Sequence, residues 1–190
     1  MLIFAFRYIL AKGAKMKKIA VVVMAAACLS TGIGIGYAAK AKGPGMTLIS
    51  GKPAKDAGMA TLKEAERLAD GGSWELIQIG RVYYLSGDKA TGQALLDKVL
   101  NGKSESSDWF RIARVYAEAG ENAKAEELFL RALAADPKDD SGQAEVGAWY
   151  IRTGQREKGE ELLSKAFAKS SDDIWHYVRA GEAFMGVSPK

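Results

Sequence analysis

The sequence predicts an all-α protein made of short helix pairs that stack side by side. Two apolar stripes at helical spacing follow one another between Trp109 and Pro137. Asp108 is placed to cap the first helix, and Gly120 to end it in a left-handed conformation. Asp136, which precedes Pro137, marks the end of the second helix, because the residue before a proline avoids helical angles. Such an antiparallel pair cannot bury both stripes alone, so it needs a neighbouring pair.

The pattern of this pair recurs along the chain with a period of about 34 residues. A glycine or alanine in the first helix of the pair occurs three times at this interval, and so does an aromatic residue three positions later. The glycine that ends this first helix recurs once. Farther upstream the same positions match with a shift of 33. The residues that recur are Ala113, Gly147 and Gly181; Tyr116, Tyr150 and Phe184; Gly120 and Gly154; Phe129 and Leu163; Ala132 and Ala166; and, upstream, Gly80, Tyr83, Gly87, Leu96 and Val99.

From about Ser73 onward the chain resembles the tetratricopeptide repeat family, in which helix–turn–helix units of 34 residues stack into a solenoid. The third unit departs from the family pattern at Gln143, Gly159 and Ser171, and the first unit departs from it more strongly. The second unit carries nearly the whole pattern: Trp109, Ile112, Ala113, Tyr116, Gly120, Ala125, Phe129, Ala132 and Pro137.

This resemblance implies a short helical-hairpin solenoid of about three repeats with capping helices, over residues 56–190. The outer face of the last helix is expected to be polar, with Arg179, Glu182 and Lys190 toward water. The expected parts are a preceding helix at 56–70, repeats at about 73–102, 106–138 and 140–171, and a capping helix at 173–186.

Residues 1–41 have the layout of a bacterial export signal, with an apolar run after the basic residues Lys17 and Lys18. Met16 is a possible true start. Three interpretations stay open: a cleaved signal peptide, an uncleaved membrane anchor, and a lipoprotein signal ending at Cys28, the only cysteine. Residues 42–55 are rich in Gly, Pro and Lys and are expected to form a flexible linker. We therefore expect an exported protein of the periplasm or cell envelope.

The charge of the chain depends on this N-terminal segment. The sequence has 27 basic and 23 acidic residues, and seven of the basic residues but no acidic residue lie within residues 1–42. The remaining 20 basic and 23 acidic residues give a net charge of −3. Nonspecific binding to nucleic acid requires a basic face, so no nucleic-acid partner is expected.

No catalytic or metal-binding constellation is visible in the sequence. His176 is the only histidine, so neither a histidine pair nor a histidine-based metal site can form, and we expect it to be an exposed or half-buried residue of the last helix. Glu126, Glu127, Glu160 and Glu161 lie in polar helix segments rather than near a predicted cleft. We therefore expect no enzyme activity, no cofactor and no metal.

The family resemblance implies a protein or peptide partner that binds in a concave groove lined by the first helix of each pair. Ala117, Arg152 and Val178 are further candidates on the same helices. The groove positions implied by the resemblance are Trp74, Ile77, Arg81, Tyr84, Phe110, Arg114, Ala144, Ala148, Ile151 and Trp175.

Arg81 and Arg114 fall at the same repeat position, one unit apart. Either they bind a carboxylate of the partner through two parallel hydrogen bonds, or they are solvated side chains whose stems cover apolar surface.

The expected function is that of a non-catalytic adaptor in the cell envelope. The alternative is a structural component that forms homo-oligomers without a peptide ligand.

Overall fold

The computed structural model describes residues 43–188, and the N-terminal segment 1–41 with its three alternatives lies outside them. Residues 43–48 belong to one compact unit and residues 49–188 to another. The first of these stretches contains a 3-10 turn, Gly45–Leu48, in which the Thr47 hydroxyl donates a 2.7 Å hydrogen bond to the Pro44 carbonyl.

Residues 49–188 form eight α-helices and contain no strand, which confirms the all-α prediction for this part of the chain. α1 begins at Ala54, so its first turn takes two residues of the predicted linker. The helices are α1 (Ala54–Leu68), α2 (Ser73–Leu85), α3 (Lys89–Leu100), α4 (Ser106–Glu118), α5 (Asn122–Ala135), α6 (Asp140–Arg152), α7 (Arg156–Lys169) and α8 (Ile174–Phe184).

Three helix hairpins, α2–α3, α4–α5 and α6–α7, form the body of the protein. The two helices of each hairpin are joined by a three-residue turn whose central residue is a glycine. Gly87, Gly120 and Gly154 have φ of 102°, 76° and 84°, in the left-handed region that a glycine enters without steric strain. The turn glycine therefore sets the tight reversal that lets the second helix fold back along the first.

Each first helix contributes a buried tyrosine to the core. Tyr83, Tyr116 and Tyr150 are all buried, and Phe129 packs against Trp149 with 5.3 Å between the ring centroids. Trp109 is only partly buried: its indole donates a 2.9 Å hydrogen bond to Ser104, and Arg131 lies over its ring. The core thus follows the aromatic positions of the repeat.

Within each hairpin the two helices come close together at a pair of small residues. A Cβ atom added at Gly92 would lie 2.7 Å from the Gly80 carbonyl oxygen, and one at Gly159 would lie 2.6 Å from that of Gly147. The corresponding residues of the second hairpin are the buried Ala113 and Ala125. This crossing therefore admits nothing larger than alanine.

The last helix differs from the polar cap that the sequence suggested. Its exposed residues include Trp175, Tyr177 and Phe184, which are 64%, 55% and 50% exposed. His176 is fully buried rather than exposed, with its Nδ1 3.2 Å from the Ser170 carbonyl oxygen and its ring edge-on to Phe167. The expected exposure of His176 was wrong because α8 packs its histidine against α7. The exposed face of α8 carries apolar residues instead.

No helix between residues 43 and 188 has both the length and the apolar character needed to cross a membrane.

Candidate binding groove

A groove of about 960 Å³ runs along the first helices α2, α4 and α6 and along α8. Within residues 43–188, the charged side chains that line it are all arginine or glutamate. These side chains are Arg81, Arg111, Arg114, Arg152, Arg179, Glu118, Glu145 and Glu182.

Ten of the lining residues occupy three positions of the repeat, and within each position successive residues are 33 or 34 apart in sequence. Each unit therefore turns the same face of its first helix toward the groove. The three sets are Gln78, Arg111, Glu145 and Arg179; Arg81, Arg114, Ala148 and Glu182; and Glu118 and Arg152.

Two ion pairs connect neighbouring first helices across the groove. The Arg81 guanidinium donates two hydrogen bonds to Glu118, one of them 2.7 Å long. Arg114 donates hydrogen bonds of 2.5 and 2.6 Å to the two carboxylate oxygens of Glu145, and these bonds raise the pKa of the Arg114 guanidinium. Both arginines therefore already hold a carboxylate, and it belongs to the chain itself rather than to a partner. Neither alternative drawn from the sequence included this pairing within the chain.

Arg152 is the exception among these arginines. It is partly buried at the end of α6, and its guanidinium makes no hydrogen bond or ion pair with any residue between 43 and 188. Burial lowers the pKa of its guanidinium, while the negative charges of Glu182 and Glu145 oppose that shift. Its side chain lines the groove, where a carboxylate ligand can accept two parallel hydrogen bonds from the guanidinium.

Three of the ten implied groove residues, Arg81, Arg114 and Ala148, line the groove. Ala117 and Arg152 also do so, whereas the exposed Val178 is not part of the lining.

Four other implied groove residues are buried in the core instead: Ile77, Tyr84, Phe110 and Ala144. They have no surface to offer a ligand, because the apolar residues of a first helix pack against neighbouring helices. Tyr84 is anchored there by a 2.7 Å hydrogen bond from its hydroxyl to Glu121.

The last three implied residues lie outside the groove lining. Ile151 is partly buried and packs against the small cluster of Ala144, Leu163 and Ala166. Trp74 and Trp175 are 58% and 64% exposed, and Arg111 lies over the Trp74 ring at 4.5 Å.

The sequence interpretation missed Gln78, Arg111, Glu118, Glu145, Arg179 and Glu182. A signal for some of them was present, since one repeat position carries a polar residue in all four first helices: Gln78, Arg111, Glu145 and Arg179. No group of three His, Cys, Asp or Glu side chains within residues 43–188 is arranged to hold a metal ion.

Comparison with known proteins supports the repeat assignment. Residues 106–139 match the family model described as "Tetratricopeptide repeat". The fold resembles the crystal structure of MamA with a TM-score of 0.50 and 18% identity, over 70% of this chain and 80% of that chain. A second crystal structure of MamA protein gives a TM-score of 0.48 and 20% identity, over 70% of this chain and 72% of that one.

No curated protein sequence matches the chain. The family match covers α4, α5 and the turn that follows them, which is the unit whose residues carried the resemblance. Residues 106–139 therefore form a tetratricopeptide repeat, and the helix hairpins on either side of it extend the same fold.

Proposed function

We propose that this protein is a non-catalytic adaptor of the bacterial cell envelope whose groove binds an acidic segment of a partner protein. The tetratricopeptide fold suggests an interaction scaffold, and the groove is the concave surface where several helices present polar side chains together. The observation that carries the proposal is Arg152, a half-buried cation in the groove without a partner in the described part of the chain.

The charge of the groove supports an acidic ligand. Among residues 43–188, five arginines and three glutamates give the lining a net charge of +2, although these residues together have 19 basic and 23 acidic side chains, a net charge of −4. A groove with a net positive charge on a protein with a net negative charge favours acidic ligands over basic ones. Arginine also binds carboxylates in a planar geometry with two hydrogen bonds, which a lysine cannot provide.

The cell-envelope location rests on the sequence of residues 16–41, with its basic start, apolar run and small residues. It adds to the proposal an expectation about the cellular compartment in which this protein binds its partner. A cleaved signal places the groove in the periplasm, and an anchor or a lipid on Cys28 tethers it to a membrane.

The proposal is tested with immobilised peptides of equal length that carry glutamate, glutamine or lysine at alternate positions. The full chain is expected to bind the glutamate peptides and to leave the lysine peptides unbound. Arg152→Gln is expected to weaken binding of the glutamate peptides at least tenfold, because it removes the unpaired cation from the groove.

Arg156→Gln is the matched control, because it removes the same charge four residues away. Arg156 is an exposed α7 residue that pairs with Glu160 outside the groove. Equal loss of binding in both variants, or equal binding to glutamate and glutamine peptides, would exclude an acidic ligand in the groove.

A further inference from the structure

The helix α8 exposes three positions that are buried in every other first helix. At one position Ile77, Phe110 and Ala144 are at most 7% exposed, whereas Val178 is 39% exposed. At the position of Tyr83, Tyr116 and Tyr150, the residue Phe184 is 50% exposed. Between them lies Gly181, which is exposed where Gly80, Ala113 and Gly147 are buried.

Gly181 shows what is missing around α8. A Cβ atom at Gly80 would lie 3.2 Å from the Gly92 carbonyl oxygen, and one at Gly147 would lie 2.9 Å from that of Gly159. A Cβ atom at Gly181 meets nothing within 4 Å. α8 is therefore the first helix of a fourth unit, and no second helix of its own unit follows it within residues 43–188.

The helix α1 shows the opposite deficiency. Its residues Gly58, Leu62 and Ala65 precede Gly92, Leu96 and Val99 by 34 residues, so α1 has the register of a second helix. The three residues of α3 are buried, but those of α1 are only half-buried. α1 packs on α2 as sparsely as α3 packs on α4, and it has no hairpin partner of its own within the described residues.

The glycine of α1 is open in the same way as the glycine of α8. A Cβ atom at Gly92 would lie 2.7 Å from the Gly80 carbonyl oxygen, whereas one at Gly58 meets nothing within 4 Å. The two ends of the array thus carry the two halves of one close helix crossing.

We infer that α8 of one copy pairs with α1 of a second copy, so that Gly181 and Gly58 cross as Gly80 and Gly92 do within a hairpin. The joint buries Val178 and Phe184 of one copy and Leu62 and Ala65 of the next. It completes a helix hairpin from two chains and continues the solenoid.

A second copy of the chain is the occupant that fits both ends at once. A helix from an unrelated partner on α8 would leave the half-buried stripe of α1 without a role. The joint is heterologous, since α8 and α1 are different surfaces, and each added copy exposes a fresh end. Association is therefore expected to continue beyond the dimer as the protein concentration rises.

Two glycine substitutions test the joint without disturbing the single copy. Gly58→Gln and Gly181→Gln place their side chains in open space in one molecule, and glutamine favours a helix more than glycine does. In the joint each glutamine meets the opposing backbone, where the other hairpins admit nothing larger than alanine. Each variant of the full chain is expected to keep its helix content by circular dichroism and to sediment as a monomer at concentrations where the parent associates.

Mixing the two variants provides the sharper result. Each variant keeps one intact end, so an equimolar mixture is expected to form dimers with a single joint and to stop there. Association through a symmetric interface or through the N-terminal segment does not produce this restoration.

Lys63→Gln is the control on α1. The residues at its position in the other second helices, Asp97, Leu130 and Ser164, are all exposed, so this variant is expected to associate like the parent. A parent chain that stays monomeric, single variants that associate like the parent, or a mixture that stays monomeric would each overturn the inference.

Discussion

The Tyr150 hydroxyl donates a 2.7 Å hydrogen bond to a carboxylate oxygen of Glu126, and this bond joins the first helix of the third hairpin to the second helix of the second. One unit earlier the same contact exists with a different chemistry, because there the Gln93 amide donates a 2.7 Å hydrogen bond to the Tyr116 hydroxyl. The repeated tyrosine thus links each hairpin to the preceding one.

Replacing Tyr150 by phenylalanine removes this link while leaving the ring in the core. We expect Tyr150→Phe to lower the free energy of unfolding by about 1 kcal/mol at neutral pH, the usual net value of one hydrogen bond. Burial, followed by the hydrogen bond to Glu126, raises the pKa of Tyr150 in the folded protein. Its contribution is therefore complete below pH ~10, near the pKa of an unfolded tyrosine, and is lost at higher pH.

Urea unfolding at neutral and alkaline pH measures this effect. The difference between the parent and Tyr150→Phe should narrow above pH ~10, because only the parent loses the Tyr150 contribution. Tyr177→Phe is the control, since Tyr177 is exposed and bonds only to the nearby Ser171 carbonyl. A difference that stays constant across this pH range would contradict the assigned role of Tyr150.

Truncating Tyr116 tests the register of the whole repeat. Its ring is 3% exposed and contacts Tyr84 edge-on, with 5.7 Å between the ring centroids. We expect Tyr116→Ala to cost about 3–5 kcal/mol of unfolding free energy, as for other buried aromatic residues. The change is measured by urea unfolding followed by circular dichroism.

Trp74→Ala is the comparison for Tyr116→Ala, because the Trp74 side chain is 58% exposed. It is expected to cost less than ~1 kcal/mol, since most of its surface already faces water. If Tyr116→Ala were as mild as Trp74→Ala, the core position of the tyrosine would be wrong.

Acid stability depends on Glu121, at the turn between α4 and α5. Its carboxylate interacts with Lys124, Lys89 and Tyr84, in that order of effect, and these partners lower the pKa of Glu121 to about 2. Because the folded pKa is lowered, the contribution of Glu121 is present above the unfolded pKa of about 4.5 and is lost as the pH falls toward 2.

Glu121→Gln is accordingly expected to be less stable than the parent at neutral pH and to approach it as the solution is acidified to about pH 2. The measurement is the midpoint of urea unfolding across this pH series. Glu127→Gln removes a neighbouring exposed carboxylate that has no hydrogen bond within residues 43–188, so its stability should follow that of the parent. A Glu121→Gln defect that persists unchanged in acid would contradict the lowered pKa.

The helix hairpins were predictable because their signals are local. Gly120 and Pro137 mark where α4 and α5 end, and the spacing of Tyr116 to Tyr150 fixes the repeat. The groove residues were harder to predict from the sequence, because side chains at adjacent positions of a helix point in directions that differ by about 100°. Ile77 and Gln78 are neighbours in sequence, yet the first is buried and the second lines the groove.

The ion pairs could not be predicted from the sequence either, and the reason is a different one. Arg81 and Arg114 stand at the same repeat position, but their partners, Glu118 and Glu145, come from two different positions on the next first helix. Only the packing of the hairpins decides which carboxylate each guanidinium reaches. His176 shows the same limit, because its burial depends on how α8 lies against α7.

The small residues at the hairpin crossings make the three units unequal as building blocks. The first and third hairpins bring their backbones together at glycine, whereas the second hairpin crosses at Ala113 and Ala125. The first and third units thus tolerate no side chain at a point where the second accommodates two methyl groups. An array lengthened by copying one unit would pack correctly only if both helices of that unit were copied together. A helix from a glycine crossing and a helix from an alanine crossing require different distances between the two helices of a hairpin.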